Sequence, residues 1–167
     1  MAGLMTLAFT VYGVAQSKGN HSAYQGRGMK FPIITETNRS VASWQQLVAE
    51  AASHALQRLP IEDRRFLPAG VRVWVAFYLP RPKKFHKRGV FVPHCTKPDI
   101  DRLTRAILDA LTQVCFGDDK QVTELFAAKY YTDVDGPARV HVRVEPAPGQ
   151  PLTVTPSPLP LFAEALA

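Results

Sequence analysis

Asp99, Asp101, Asp109, Asp118 and Asp119 fall within 21 residues of a chain whose 20 Lys and Arg outnumber its 14 Asp and Glu. A site of three or four carboxylates, with no Cys or His among them, suits a hard divalent cation, Mg²⁺ or Mn²⁺, rather than zinc. Such an ion binds a phosphate oxygen, lowers the pKa of a bound water and stabilises a departing alkoxide, which is the chemistry of phosphodiester hydrolysis. Nucleotide-dependent phosphoryl transfer fits less well, because the chain holds neither a Walker-A loop nor a GxGxxG turn.

Spacing decides whether these carboxylates can cooperate. Residues two apart in a regular helix face nearly opposite ways, so Asp99 and Asp101 reach one ion only if Asp99 stands outside the helix. Pro98 favours this arrangement by biasing Lys97 toward an extended backbone, which lets Asp99 act as N-cap while Asp101 enters the first turn. The same residues also read as a helix cap followed by an Asp101–Arg105–Asp109 ion ladder, worth a few tenths of a kcal/mol per pair. The ladder leaves Asp118 and Asp119 unexplained, since they follow the helix C-terminus, where negative charge is unfavourable. On the residues alone both readings stand.

The elements that must position these groups are legible from periodicity. Thr6 to Tyr12 alternates, with Leu7, Phe9 and Val11 on one face, as a half-buried strand does. Gly13 to Asn38 keeps no period and reads as a long surface loop carrying Lys18, Arg27 and Lys30. Ser40 can cap a helix with Val41, Trp44, Val48, Ala51 and Ala55 along one stripe, ending near Pro60. Val71 to Leu79 alternates as the clearest strand, stopped by Pro80 and Pro82. Arg81 to Arg88 is an exposed basic loop with five Lys or Arg around Phe85 and His86. A second helix steps through Ile100, Leu103, Ile107 and Leu111 and ends before Gly117. Strands Val122 to Tyr131 and Arg139 to Glu145 follow, joined as a hairpin by a turn at Asp133 to Pro137.

The order β-α-β-α-β-β predicts a single α+β domain: a mixed or mainly antiparallel sheet with two helices on one side, spanning residues 1–145. Residues 146–167, with six prolines, predict an extended, flexible tail.

A formal charge of +6 and a pI near 9.5 favour a polyanionic partner, though an acidic protein or a membrane surface meets the same balance. Cys95 and Cys115 are too few for a disulfide framework and predict a reduced, cytoplasmic setting. The five histidines are scattered and do not suggest a metal site; only His94 beside Cys95 forms a pair. Leu4 to Ala15 is apolar, but no Lys or Arg precedes it, Gly13 interrupts it, and it falls short of the roughly 20 residues that span a bilayer. Neither export nor membrane insertion is expected.

The run K-P-D-I-D-R-L-T-R-A-I-L-D-A-L from Lys97 to Leu111, followed by D-D-K-Q-V from Asp118, resembles the signature of RusA-type crossover-junction endodeoxyribonucleases. The likeness extends to G-V-A-Q-S-K-G at Gly13 to Gly19, to Trp44, and to Y-L-P-R-P-K-K at Tyr78 to Lys84, covering roughly residues 5–145.

The resemblance implies an Mg²⁺-dependent resolvase (Mn²⁺ as a substitute) that cuts four-way DNA junctions in recombination and repair. It assigns the metal ligands to Asp99, Asp101 and Asp119, with Asp118 as an additional ligand. It implies a homodimer, whose two active sites suit a pseudo-two-fold junction needing two symmetric nicks. Where the family carries a catalytic lysine, this chain has Arg105, which keeps the charge but cannot donate its proton near neutral pH. Lys97 and Lys129 are candidates to compensate. Arg81, Lys83, Lys84, Lys87 and Arg88 become the phosphate-contacting loop, with Lys18, Arg27, Lys30 and Lys97 beside it. Phe85 is either a wedge at the branch point or an aromatic covering a core edge.

Leu159, Leu161 and Phe162 in the tail resemble the short peptides by which bacterial DNA enzymes attach to a sliding clamp, although the usual leading Gln is missing; folding back on the protein is the alternative. The family's usual company suggests a bacterial cytoplasmic protein of phage or prophage origin. The rival readings are a catalytically weak junction-binding module, with Arg105 reporting lost chemistry, and a less selective branched-DNA nuclease.

Overall fold

The computed structural model describes residues 6–19, 21–24, 33–36, 40–60, 70–86 and 92–148. Arg27, Lys30, Lys87, Arg88 and the tail motif at Leu159, Leu161 and Phe162 lie outside the described residues.

Strands β1 (Leu7–Tyr12), β4 (Val71–Leu79), β5 (Val122–Tyr131) and β6 (Arg139–Pro146) form a four-stranded sheet in the order β1-β6-β4-β5. Helices α1 (Ser40–Gln57) and α2 (Ile100–Leu111) pack against one another and share one core with the sheet. Period-two patterning explains how β4 joins that core: Val71, Val73, Val75, Phe77 and Leu79 are all buried, facing the helices. Val140, Val142 and Val144 of β6 do the same beside it. The helices answer with Val41, Trp44, Val48 and Ala52 from α1 and Leu103, Ala106, Ile107 and Leu111 from α2. Truncating a fully buried residue such as Leu103 to alanine would cost about 2–5 kcal/mol.

Among the described residues no helix covers the opposite face of the sheet. There Trp74 stacks on Phe126, its parallel neighbour, with ring centroids 3.9 Å apart, and Tyr78 stands 5.5 Å from Tyr130.

The single α+β domain with a mixed sheet and two helices agrees with the sequence pattern, and the element boundaries agree closely. Two features differ. The stretch read as a long loop contains a short antiparallel pair, β2 (His21–Tyr24) with β3 (Ile33–Glu36), so the order is β-β-β-α-β-α-β-β. Four-residue strands are too short to display a period, and a backbone ladder needs no apolar face to form.

The second difference is that β5 and β6 do not form a hairpin with each other; β4 lies between them. β4-α2-β5 is a crossover unit, which delivers β5 parallel to β4. The free edge of β4 then pairs with β6 antiparallel. The turn after β5 passes the end of β4, where the Thr132 N–H donates to the Leu79 carbonyl at 2.8 Å. No helix among the described residues is long and apolar enough to cross a membrane.

Candidate active site

Asp99 occupies the N-cap position of α2 with extended backbone angles (φ −72°, ψ 140°), as Pro98 and the spacing predict. Its carbonyl accepts the first helical hydrogen bond, from Leu103 N–H at 3.1 Å. Its carboxylate, however, makes no capping hydrogen bond. It faces outward, about half exposed, with Arg102 Nε 3.7 Å away. Asp101 lies in the first turn and is also exposed. A simple cap therefore does not account for Asp99, and the ladder does not form either. Among the described residues neither Asp101 nor Arg105 takes part in an ion pair, and Asp109 instead pairs with Lys18 and accepts from Gln45 Nε2 at 3.3 Å.

Asp118 and Asp119 open a 3-10 turn, Asp119–Gln121, that leads into β5. Asp118 caps it: its carboxylate accepts from Lys120 N–H at 3.0 Å, while the Gln121 side chain accepts from the Asp118 N–H at 3.1 Å. The Lys120 N–H bond holds the Asp118 carboxyl below the usual carboxylate range, helped by the Lys120 ammonium at 3.1 Å. Asp119 is exposed. The D-x-x-Q spacing at Asp118 and Gln121 is a capping-box signal present in the sequence.

The two carboxylate pairs do not meet within one chain. They flank opposite ends of α2, whose 12 residues rise about 18 Å. Among the described residues no three His, Cys, Asp or Glu side chains come together in a form that could hold a metal ion.

Of the expected phosphate contacts, Lys83 and Lys84 are exposed, with Lys84 Nζ 4.8 Å over the Phe85 ring. Arg81 instead braces its own loop, donating to the carbonyls of Thr132 at 2.9 Å and Phe85 at 3.1 Å. Phe85 is partly buried, 5.7 Å from the Tyr131 ring, which favours a packing role. Lys18 is held by Asp109, and its N–H donates to the Arg102 carbonyl at 3.3 Å. Lys97 is exposed beside Asp99.

Lys129, considered in the sequence only as a substitute cation, reaches from β5 to the turn before Asp99, donating to the carbonyls of Thr96 at 2.7 Å and Pro98 at 2.9 Å. Tyr131 supports the same turn through its hydroxyl, 3.3 Å from Thr96 Oγ1, and through ring contact with His94 at 4.3 Å. Burial lowers the pKa of His94, and its neighbour Cys95 is exposed. Arg102, beside Asp99 and Asp101, reads in the sequence as ordinary helix surface.

Comparison with known proteins bears on these groups. The family model described as endodeoxyribonuclease RusA matches residues 13–145. The chain is also 30% identical over 139 residues to the uncharacterized protein YqaN of Bacillus subtilis (strain 168), an alignment covering 76% of this chain and 89% of that one. The matched region takes in the aspartate-bearing helix, the Asp118–Asp119 turn and the four-stranded sheet apart from β1 and the last residue of β6, and on that match this chain belongs to the RusA family of endodeoxyribonucleases.

Proposed function

We propose that this RusA-family nuclease resolves four-way DNA junctions by paired symmetric nicks, using Mg²⁺, with Mn²⁺ as a substitute. The family acts on branched DNA and is generally dependent on a divalent metal. The observation that carries the reading is the Asp99 carboxylate, which occupies a capping position without capping and so is left facing outward near the exposed Asp101.

Two exposed carboxylates offering only oxygen fit a hard divalent ion, while the larger set does not assemble inside one chain. When bound, the ion would polarise a phosphate oxygen and lower the pKa of a water. Asp99 and Asp101 would hold it. Arg105, one helical turn beyond Asp101, supplies a permanent positive charge that attracts the phosphate and acts as an electrostatic partner rather than a proton donor.

The separation along α2 gives the homodimer a chemical reason. A two-fold axis that laid two α2 helices antiparallel would bring Asp119 of the partner subunit to the Asp99–Asp101 end. Asp119 is the better of the adjacent pair for this role, since Asp118 is occupied as a cap. Two such sites would match the pseudo-two-fold junction. The exposed Lys83, Lys84 and Lys97 suit DNA phosphates, and a DNA substrate implies work in the bacterial cytoplasm.

Initial cleavage rates on four-way, three-way and linear duplexes, in Mg²⁺ and in EDTA, test this reading. Metal-dependent cutting that prefers the four-way junction supports it; equal cutting of all three would indicate a less selective nuclease. Arg105 in the lysine's place favours a second reading, a catalytically weak junction-binding module, which predicts tight junction binding with no cut.

A further inference from the structure

Asp99, whose carboxylate the metal reading uses, also lines a cleft whose remaining walls that reading leaves without a role. It has a volume of about 480 Å³ and lies between the segment after β1, at Gln16 and Ser17, and the turn Lys97–Asp99 with Arg102 on α2. Its walls are braced by contacts within the fold. Ala15 is buried, the Lys18 N–H bonds the Arg102 carbonyl, Lys18 is clasped by Asp109, and Lys129 pins the opposite turn. A volume in this range accommodates a small ligand or a nucleotide-sized unit.

The charges lining it are two cations, Lys97 and Arg102, against one carboxylate, Asp99. The Arg102 side chain is 43% exposed, and its only ion pair among the described residues is the 3.7 Å contact of Nε with Asp99. An ion pair that exposed and that long is worth little, so the guanidinium can turn its fork to another anion at small cost. A planar fork with several N–H donors matches the non-bridging oxygens of a phosphate, and a lysine beside it adds a point charge. Gln16, which also lines the cleft, anchors its own loop by donating to the Val14 carbonyl at 3.0 Å.

We propose that this cleft is a phosphate subsite: it takes the DNA phosphodiester flanking the one to be cut, with Arg102 as its clamp and Lys97 as its second cation. The proposal rests on the nuclease reading and adds to it a backbone contact that positions the strand. It also gives the chain a second arginine at the site, on the helix surface one turn from Arg105.

The test measures equilibrium binding of a labelled four-way junction by fluorescence anisotropy in EDTA across a salt series, with nicking rates in Mg²⁺ measured in parallel. Loss of one phosphate contact in Arg102→Gln should reduce the slope of log K against log salt by about 0.9 and weaken binding. Arg102→Lys should restore the slope but not the full nicking rate, because it returns the charge without the fork. Lys97→Gln, on an exposed turn, should lower the slope again and covers the case in which Arg102→Gln fails to fold. Wild-type slopes in both glutamine variants would overturn the subsite while leaving a cutting enzyme intact. A wild-type protein that never cuts, with the slope still reduced in both glutamine variants, would overturn the nuclease reading and leave Arg102 and Lys97 as DNA phosphate contacts only.

Discussion

The Lys129 ammonium stands 2.9 Å from the carbonyl oxygen of Pro98, the residue immediately before Asp99. A strand side chain on the far side of a crossover thus fixes the turn that aims the first carboxylate. Replacing it with methionine removes two charge-assisted hydrogen bonds and lets the turn drift. A displacement near 1 Å at a reacting centre can cost up to about 100-fold in rate. We expect Lys129→Met to lower the nicking rate by about 10- to 100-fold with little change in junction affinity, and Lys129→Arg to recover part of the loss. An unchanged rate constant in single-turnover assays would show that the turn holds itself.

Arg105 is exposed and unpaired among the described residues, so its substitutions should affect chemistry more than folding. As an electrostatic partner it should tolerate Arg105→Lys, with cutting within about three-fold of wild type. Arg105→Gln should lose about 100-fold, as removal of one transition-state donor does elsewhere. Melting temperatures of both variants should stay close to wild type. A large gain in Arg105→Lys would mean that proton donation matters and that this chain is slow for lack of it.

The separation of the carboxylates predicts complementation. Asp101→Asn and Asp119→Asn should each be inactive alone. In a mixed dimer one site would combine both substitutions and the other would be fully wild type, so mixing and re-equilibrating the two variants should restore single nicks. Continued inactivity of a verified mixed dimer would mean that both aspartates serve the same chain's site.

Burial lowers the pKa of His94, and burial followed by the charge of Arg139 lowers that of His141. With folded values below the unfolded one, the unfolded chain binds protons first on acidification. These histidines therefore contribute stability that is present above about pH 6.5 and is lost as pH falls through the unfolded value toward the lowered folded ones. Melting temperature should drop between pH 7.5 and 5.5, and a His94→Phe variant should show a shallower drop. An equal drop in the variant would assign the effect to other groups.

Much of this architecture is written locally. The alternation from Val71 to Leu79 and the three- and four-residue steps from Ile100 to Leu111 identify β4 and α2 because each records burial on one face. Pro98 and the D-x-D spacing likewise anticipate Asp99 at the helix entrance. Strand partners are not local. Residues 122–146 look like a hairpin because proximity in sequence suggests pairing, yet the crossover through α2 fixes the direction of β5 and β4 comes between. The bracing by Lys129 and the cleft beside Arg102 are not legible for the same reason, since each depends on a carbonyl or a wall supplied by a distant segment.

The most direct test of the account is strand mapping on a synthetic four-way junction, labelled on each strand in turn and incubated in Mg²⁺ beside EDTA and Asp101→Asn controls. The account predicts paired nicks at symmetric positions on two opposing strands, absent from both controls. Tight, salt-sensitive binding with no nick on any strand, or nicks that persist in Asp101→Asn, would contradict it.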